Sequence, residues 1–191
     1  FKQLSDDGMD IEIFSNGIIT LSEGGVYTYG VNSAISLGTN SNMTSYNSVT
    51  DKYGSNIIGI ALSGGNSNGL PVIINGETLE QEATNKGKMT FGDNSAGIFV
   101  ADGASALNNG KISLGKSSVG IYGKGTGTNV SNSGEINIKD ESIGLFLNNG
   151  GNISNSGNIE STGNKTVGIY SDTVNNSNII NTGNIKLTGD R

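Results

Sequence analysis

A box made of a small or aliphatic residue, Gly, an aliphatic residue and an aromatic ring returns four times, 23 or 24 residues apart: Ala96-Gly97-Ile98-Phe99, Val119-Gly120-Ile121-Tyr122, Ile143-Gly144-Leu145-Phe146 and Val167-Gly168-Ile169-Tyr170. A period in this range marks stacked units, none of which can bury its apolar face alone. The chain is therefore read as a solenoid and not as a globular enzyme domain.

A second box follows each first one, as Asn85 to Met89, Asn108 to Ile112, Asn132 to Ile136, Asn155 to Ile159 and Asn181 to Ile185, with its Gly at 87, 110, 134, 157 and 183. Around that Gly the apolar period is two. Four residues before it stand Ala83, Ala106, Val130, Ile153 and Ile179, and two after it Met89, Ile112, Ile136, Ile159 and Ile185. Such alternation is a strand with one buried face, because successive side chains point to opposite sides of the backbone. Asn85, Asn108, Asn132, Asn155 and Asn181 share the buried parity. They are expected to form an internal asparagine ladder with a rung about every 4.8 Å, amide bonded to amide.

The same parity applied to the first box sends Val119, Ile121 and their equivalents inward and the Gly outward. A third, shorter strand is expected in the variable stretch between boxes. Helices are excluded, because no segment keeps apolar residues at three-four spacing over ten positions and Gly interrupts every candidate. The fold class that follows is all-β, a single-stranded right-handed parallel β-helix with an inserted loop. About eight coils would make a rod roughly 38 Å long, its hand taken from the rule for parallel crossovers.

The chain divides accordingly. Residues 94–191 carry regular coils, and residues 55–93 one coil with an insertion at about 64–84, since Gly59 of Ile58-Gly59-Ile60 lies 38 residues before Gly97. Residues 1–54 read as divergent coils in which Ile13, Gly17, Ile19 and Leu21 repeat the second box's spacing. The last residues fall where another box is due, so the chain reads as part of a longer polypeptide.

Composition agrees with a rod. Gly supplies 31 residues, Pro one and Trp none, so the core must be Val, Ile and Leu punctuated by tight turns. With no Cys, stacking replaces disulfides. A net charge of -6 and a lone Arg, Arg191, leave no basic stripe for nucleic acid. No apolar run is long enough to span a bilayer.

The alternating boxes at Ser118 to Tyr122, Asn132 to Ile136, Thr166 to Tyr170 and Asn181 to Ile185 resemble the passenger repeats of large fusobacterial autotransporter adhesins, over roughly residues 55–191. The resemblance implies a surface-exposed stalk of a type V secreted protein, held at the bacterial outer membrane by a C-terminal barrel outside this sequence. Its partners would be a host-cell protein or glycan receptor, or another bacterium. It carries no binding motif onto particular residues here.

Other parallel β-helices are polysaccharide-acting enzymes or phage tailspikes, whose chemistry needs clustered carboxylates or a metal. This chain has no His, and its acids are scattered: Asp93, Asp102, Glu135, Asp140, Glu141, Glu160 and Asp172. No catalytic site, metal site or cofactor is expected. The Gly64-Gly65-Asn66-Ser67-Asn68-Gly69 run lacks the Asp of a calcium-binding nonapeptide, and Asp6-Asp7-Gly8-Met9-Asp10 lacks the final Glu of an EF-hand loop.

Two features carry the binding expectation. The rings Phe99, Tyr122, Phe146 and Tyr170 share the parity opposite to the buried aliphatics, which makes them either an outward row for sugars or a protein, or corner fillers folded back into the core. The second reading is preferred. The insertion, with Glu77, Glu80 and Glu82, is the other candidate, since excursions from a solenoid often carry function. Val72-Ile73-Ile74 before Asn75-Gly76 reads as a hairpin, with a purely structural flap as its plain alternative. A ligand-free spacer stalk is the remaining alternative for the whole chain.

Overall fold

The computed structural model describes residues 10–15, 20–21, 27–28, 31–37, 42–47, 50–53, 55–56, 58–63, 72–74, 77–79, 82–172 and 177–190, with side-chain environments at 55–56, 58–62, 82–172 and 177–190. Among the described residues the chain is all-β. Three sheets of seven strands each run the length of a parallel β-solenoid.

One coil visits three faces in turn. The first box forms face 1, as Ala96–Ala101, Val119–Lys124, Ile143–Asn148 and Val167–Asp172. Face 2 comprises Ser105–Asn108, Asn129–Asn132, Gly151–Asn155 and Ser177–Asn181. Face 3 comprises Lys111–Ser113, Glu135–Ile138, Asn158–Ser161 and Asn184–Leu187. The third strand is thus not in the variable stretch: the second box itself supplies two strands, bending at its Gly. Every rung pairs in parallel with the equivalent residues of the next, as Asn85 with Asn108, Asn108 with Asn132 and Asn132 with Asn155.

Seven rungs on faces 2 and 3, and six on face 1, whose seventh strand is the antiparallel Tyr27–Thr28, replace the eight coils expected, because the early coils are longer than the period. Asp10 pairs with Asn42 and Met43 with Ala83, so these coils use up residues that a uniform period would have turned into another rung. Each holds a hairpin: Tyr27–Thr28 against Val31–Leu37, and Val72–Ile74 against Glu77–Leu79 with Ile74 opposite Glu77. The second is the hairpin read from Asn75-Gly76. Glu82–Asn85 already belongs to face 2, which takes the end of the segment assigned to the insertion into the solenoid. In the first coil Ile13 pairs with Ser45, and Ser45 with Asn85. Ile13 therefore stands level with the asparagine column, two residues from the place its spacing to Gly17 implied.

The core is a column of aliphatics from all three faces, including Ile98, Val100, Ala106, Ile112, Val130, Ile136, Leu145, Ile153 and Ile159. Beside it runs the asparagine ladder. Asn85 Nδ2 donates to Asn108 Oδ1 at 2.8 Å, Asn108 to Asn132 at 2.8 Å, Asn132 to Asn155 at 2.8 Å and Asn155 to Asn181 at 2.7 Å. The first four are buried and Asn181 is exposed. The backbone carbonyls of Asn85, Asn108, Asn132 and Asn155 also accept from the next coil's corner, as Asn108 O does from Ser133 N and Gly134 N. Side chain and backbone together satisfy the polar groups that the bend would otherwise strand in the core.

Face 1 departs from simple alternation. Its glycines are buried, while Val119 and Ile143 are half-buried and Val167 is 38% exposed. The rung pairing skips the Gly, joining Ala96 to Val119 and then Ile98 to Ile121. A Cβ on Gly97 would lie 2.6 Å from Gly120 O and 2.8 Å from Ile112 Cγ2, and one on Gly120 would lie 2.4 Å from Gly144 O and 2.8 Å from Ile136 Cγ2. The glycine thus turns in against the face 3 isoleucine of its own coil, in the way a bulge resets a strand. Gly and the residue after it both face inward. The leading aliphatic, expected in the core, is put outside.

Candidate functional site

The outer sides of the three faces differ in chemistry. On face 3 they are charged and amide residues such as Lys88, Lys111, Glu135, Asn158 and Lys186, and on face 2 they include Ser105, Asn129, Ser131, Asn152 and Ser154. Face 1 instead turns two apolar columns outward: Ala96, Val119, Ile143 and Val167, and the rings Phe99, Tyr122, Phe146 and Tyr170. A third column, Ala101, Lys124, Asn148 and Asp172, borders the rings.

The rings do not fold back into the core, as the preferred sequence reading had it. Phe99, Tyr122 and Phe146 are half-buried, Tyr170 is 46% exposed, and each ring lies against the next. Centroids are 5.3 Å apart for Phe99 and Tyr122 (73° between planes), 4.8 Å for Tyr122 and Phe146 (6°) and 5.2 Å for Phe146 and Tyr170 (46°). Parallel pairing at the coil repeat leaves no other arrangement, since in-register strands hold equivalent side chains one rung apart. The consequence is chemical. Tyr122 and Phe146 cover each other's faces, so this part of the row turns ring edges outward, and a sugar cannot stack on it as on a flat platform. An apolar ridge of edges suits a hydrophobic protein surface better.

Burial pushes the Tyr122 hydroxyl above its ordinary pKa, and the negative charge of Asp172 adds to the effect. Lys124 and Asp172, both exposed on the border column, make no ion pair among the described residues.

Of the acidic candidates in the insertion, only Glu82 has a described side chain. Glu82 lies on face 2, where its carboxylate accepts a hydrogen bond from Thr84 Oγ1. The side chain of Glu77, all of Glu80, the Gly64 to Gly69 run, and residues 1–9 with Asp6 and Asp7 lie outside the described residues. Asp93 and Asp140 cap the corner between faces 3 and 1: Asp93 Oδ1 accepts from Lys116 N at 2.7 Å, and Asp140 Oδ1 from Asn164 N at 2.8 Å. No group of three metal-ligating side chains occurs among the described residues.

A surface groove of about 530 Å³ follows Gly87, Gly110, Gly134 and Gly157 at the corner between faces 2 and 3. Stacking explains these glycines without a ligand, since a Cβ on Gly110 would stand 2.0 Å from Gly87 O. Along its edge Lys111 and Glu135 pair at 2.7 Å. That bond, Asn137 and the nearby charge of Lys88 hold the Glu135 carboxyl below its usual pKa.

Two further rows escaped the sequence reading. Ser95, Ser118 and Ser142 are buried before their boxes; Ser95 N donates to Ser118 Oγ at 3.0 Å and Ser118 N to Ser142 Oγ at 3.1 Å. The Ser or Thr that opens each box was the visible signal. Asn56, Asn94, Ser117, Glu141 and Lys165 form a column with φ between 52° and 59°, a left-handed corner that no single residue type announces. Against known proteins, no protein-family model matches the chain, and neither do any curated protein or solved structure.

Proposed function

We propose that this chain is an adhesive segment of a bacterial surface protein, a β-solenoid stretch of a type V secreted passenger that meets its partner with the outer side of face 1. One observation carries the reading: two adjacent columns of apolar and aromatic side chains on the outside of face 1, where the outside of face 3 is polar and that of face 2 polar but for Leu107 and Ile180. Solvated side chains would satisfy that face if it only spaced other parts of a stalk. An ordered apolar patch is instead the usual sign of a contact surface. The box sequences' resemblance to autotransporter passengers supports a place outside the outer membrane. The ring edges favour a protein receptor over a glycan.

The test compares binding of the chain and its Tyr122→Ser/Phe146→Ser variant to host cells and to bacterial cells. Loss of binding in a variant that keeps its circular dichroism supports attachment through face 1. Absence of binding by the parent chain would leave the spacer reading in its place.

A further inference from the structure

Face 1 has a symmetry that its border column reveals. Lys124 lies one rung before Asn148, and Asp172 one rung after it. The two opposite charges thus sit at equal distances on either side of the Ile143–Asn148 strand, and neither makes an ion pair among the described residues.

We infer that the partner of face 1 is a second copy of this chain, laid face to face with its solenoid axis reversed, about a two-fold axis running along Ile143–Asn148. In that arrangement each column meets itself and the rungs on either side exchange. Lys124 then faces Asp172 of the second copy and Asp172 faces Lys124, giving two complementary pairs. Phe146 meets Phe146 and Tyr122 meets Tyr170, apolar edge against apolar edge. Closed two-fold contacts of this kind join identical patches. A shift of one rung sets Lys124 or Asp172 against Asn148 and loses both pairs, and a shift of two opposes Lys124 to Lys124 or Asp172 to Asp172, so charge sets the register more than the affinity.

The size of the patch sets its strength. Three rungs of six-residue strands cover on the order of 300 Å² per copy, from rises of about 3.3 Å along the strand and 4.8 Å across it. That is well under the roughly 800 Å² per partner of a durable complex. The contact is therefore weak, and the overall charge of -6 on each copy opposes it further.

This inference rests on face 1 being the contact surface. Sedimentation equilibrium of the full chain should show a monomer-dimer equilibrium with a dissociation constant on the order of 0.1 to 1 mM. Lys124→Asp and Asp172→Lys should each weaken it roughly tenfold or more. An equimolar mixture of the two variants should associate again, because every charge in the mixed dimer then faces its opposite. A monomer at about 1 mM, single variants that dimerise like the parent, or a mixture no tighter than its parts would each overturn the pairing. Cell binding separates this from the attachment reading. A monomeric chain that binds cells through Tyr122 and Phe146 keeps that reading and assigns face 1 to another protein, whereas a dimer without cell binding does the reverse.

Discussion

Asn132 occupies the middle of the ladder, accepting from Asn108 and donating to Asn155. Asn132→Leu keeps the branching and the number of side-chain heavy atoms but strands an amide donor below and an amide oxygen above, each in the core. A cost of roughly 2 to 4 kcal/mol is expected from two unsatisfied buried groups, read as a shift in urea midpoint. Asn181→Leu, at an exposed rung, removes one ladder bond and leaves the buried Asn155 amide short of one acceptor, so it should cost about 1 kcal/mol, less than the middle rung. The ladder was legible in the sequence, since a polar residue repeated on the buried parity of a strand has few other ways to be satisfied. The inward turn of Gly120 was not, for nothing in the box tells a glycine that fills from one that yields space. Gly120→Ala would bring a methyl to within 2.4 Å of Gly144 O, a backbone atom that no rotamer change moves. It should cost about 1 to 3 kcal/mol by the same denaturation measurement.

The strands of face 1 turn these residue effects into a surface. Because Gly and the next residue both face inward, the leading aliphatic and the ring share the outer side, and the in-register rungs make columns of them. Tyr122 reports on that environment. Its folded pKa is raised by burial and by Asp172, so the folded state keeps a proton that the unfolded chain gives up more readily. Its contribution to stability is whole below the ordinary tyrosine value near 10 and is lost as pH rises from there through the raised folded value. Denaturation midpoints taken between about pH 9 and 11 should fall more steeply for the parent than for Tyr122→Phe. Equal slopes would mean that Tyr122 is as solvated folded as unfolded.

At the level of the whole molecule, among the described residues the hairpin Val72–Ile74/Glu77–Leu79 pairs only with itself, while face 1 runs on through Ile58–Ser63, face 2 through Glu82–Asn85 and face 3 through Thr50–Tyr53 and Lys88–Thr90. Deleting residues 65–80 should therefore leave the β-sheet signal of the solenoid unchanged in far-ultraviolet circular dichroism, because a longer or shorter surface loop changes closure entropy only slightly. A collapse of that signal would show that the segment holds the early coils together. The sequence by itself determined the stacking architecture, the position of most core aliphatics and the asparagine column, since period and parity are local properties copied from coil to coil. Only the tertiary structure decided which side the first aliphatic and the ring would take. That choice depends on how closely face 1 approaches the isoleucines of face 3, a contact between segments about fifteen residues apart that alternation within one strand cannot express. The same packing turned a row of rings from a corner of the core into the edge-on surface on which the proposed attachment depends.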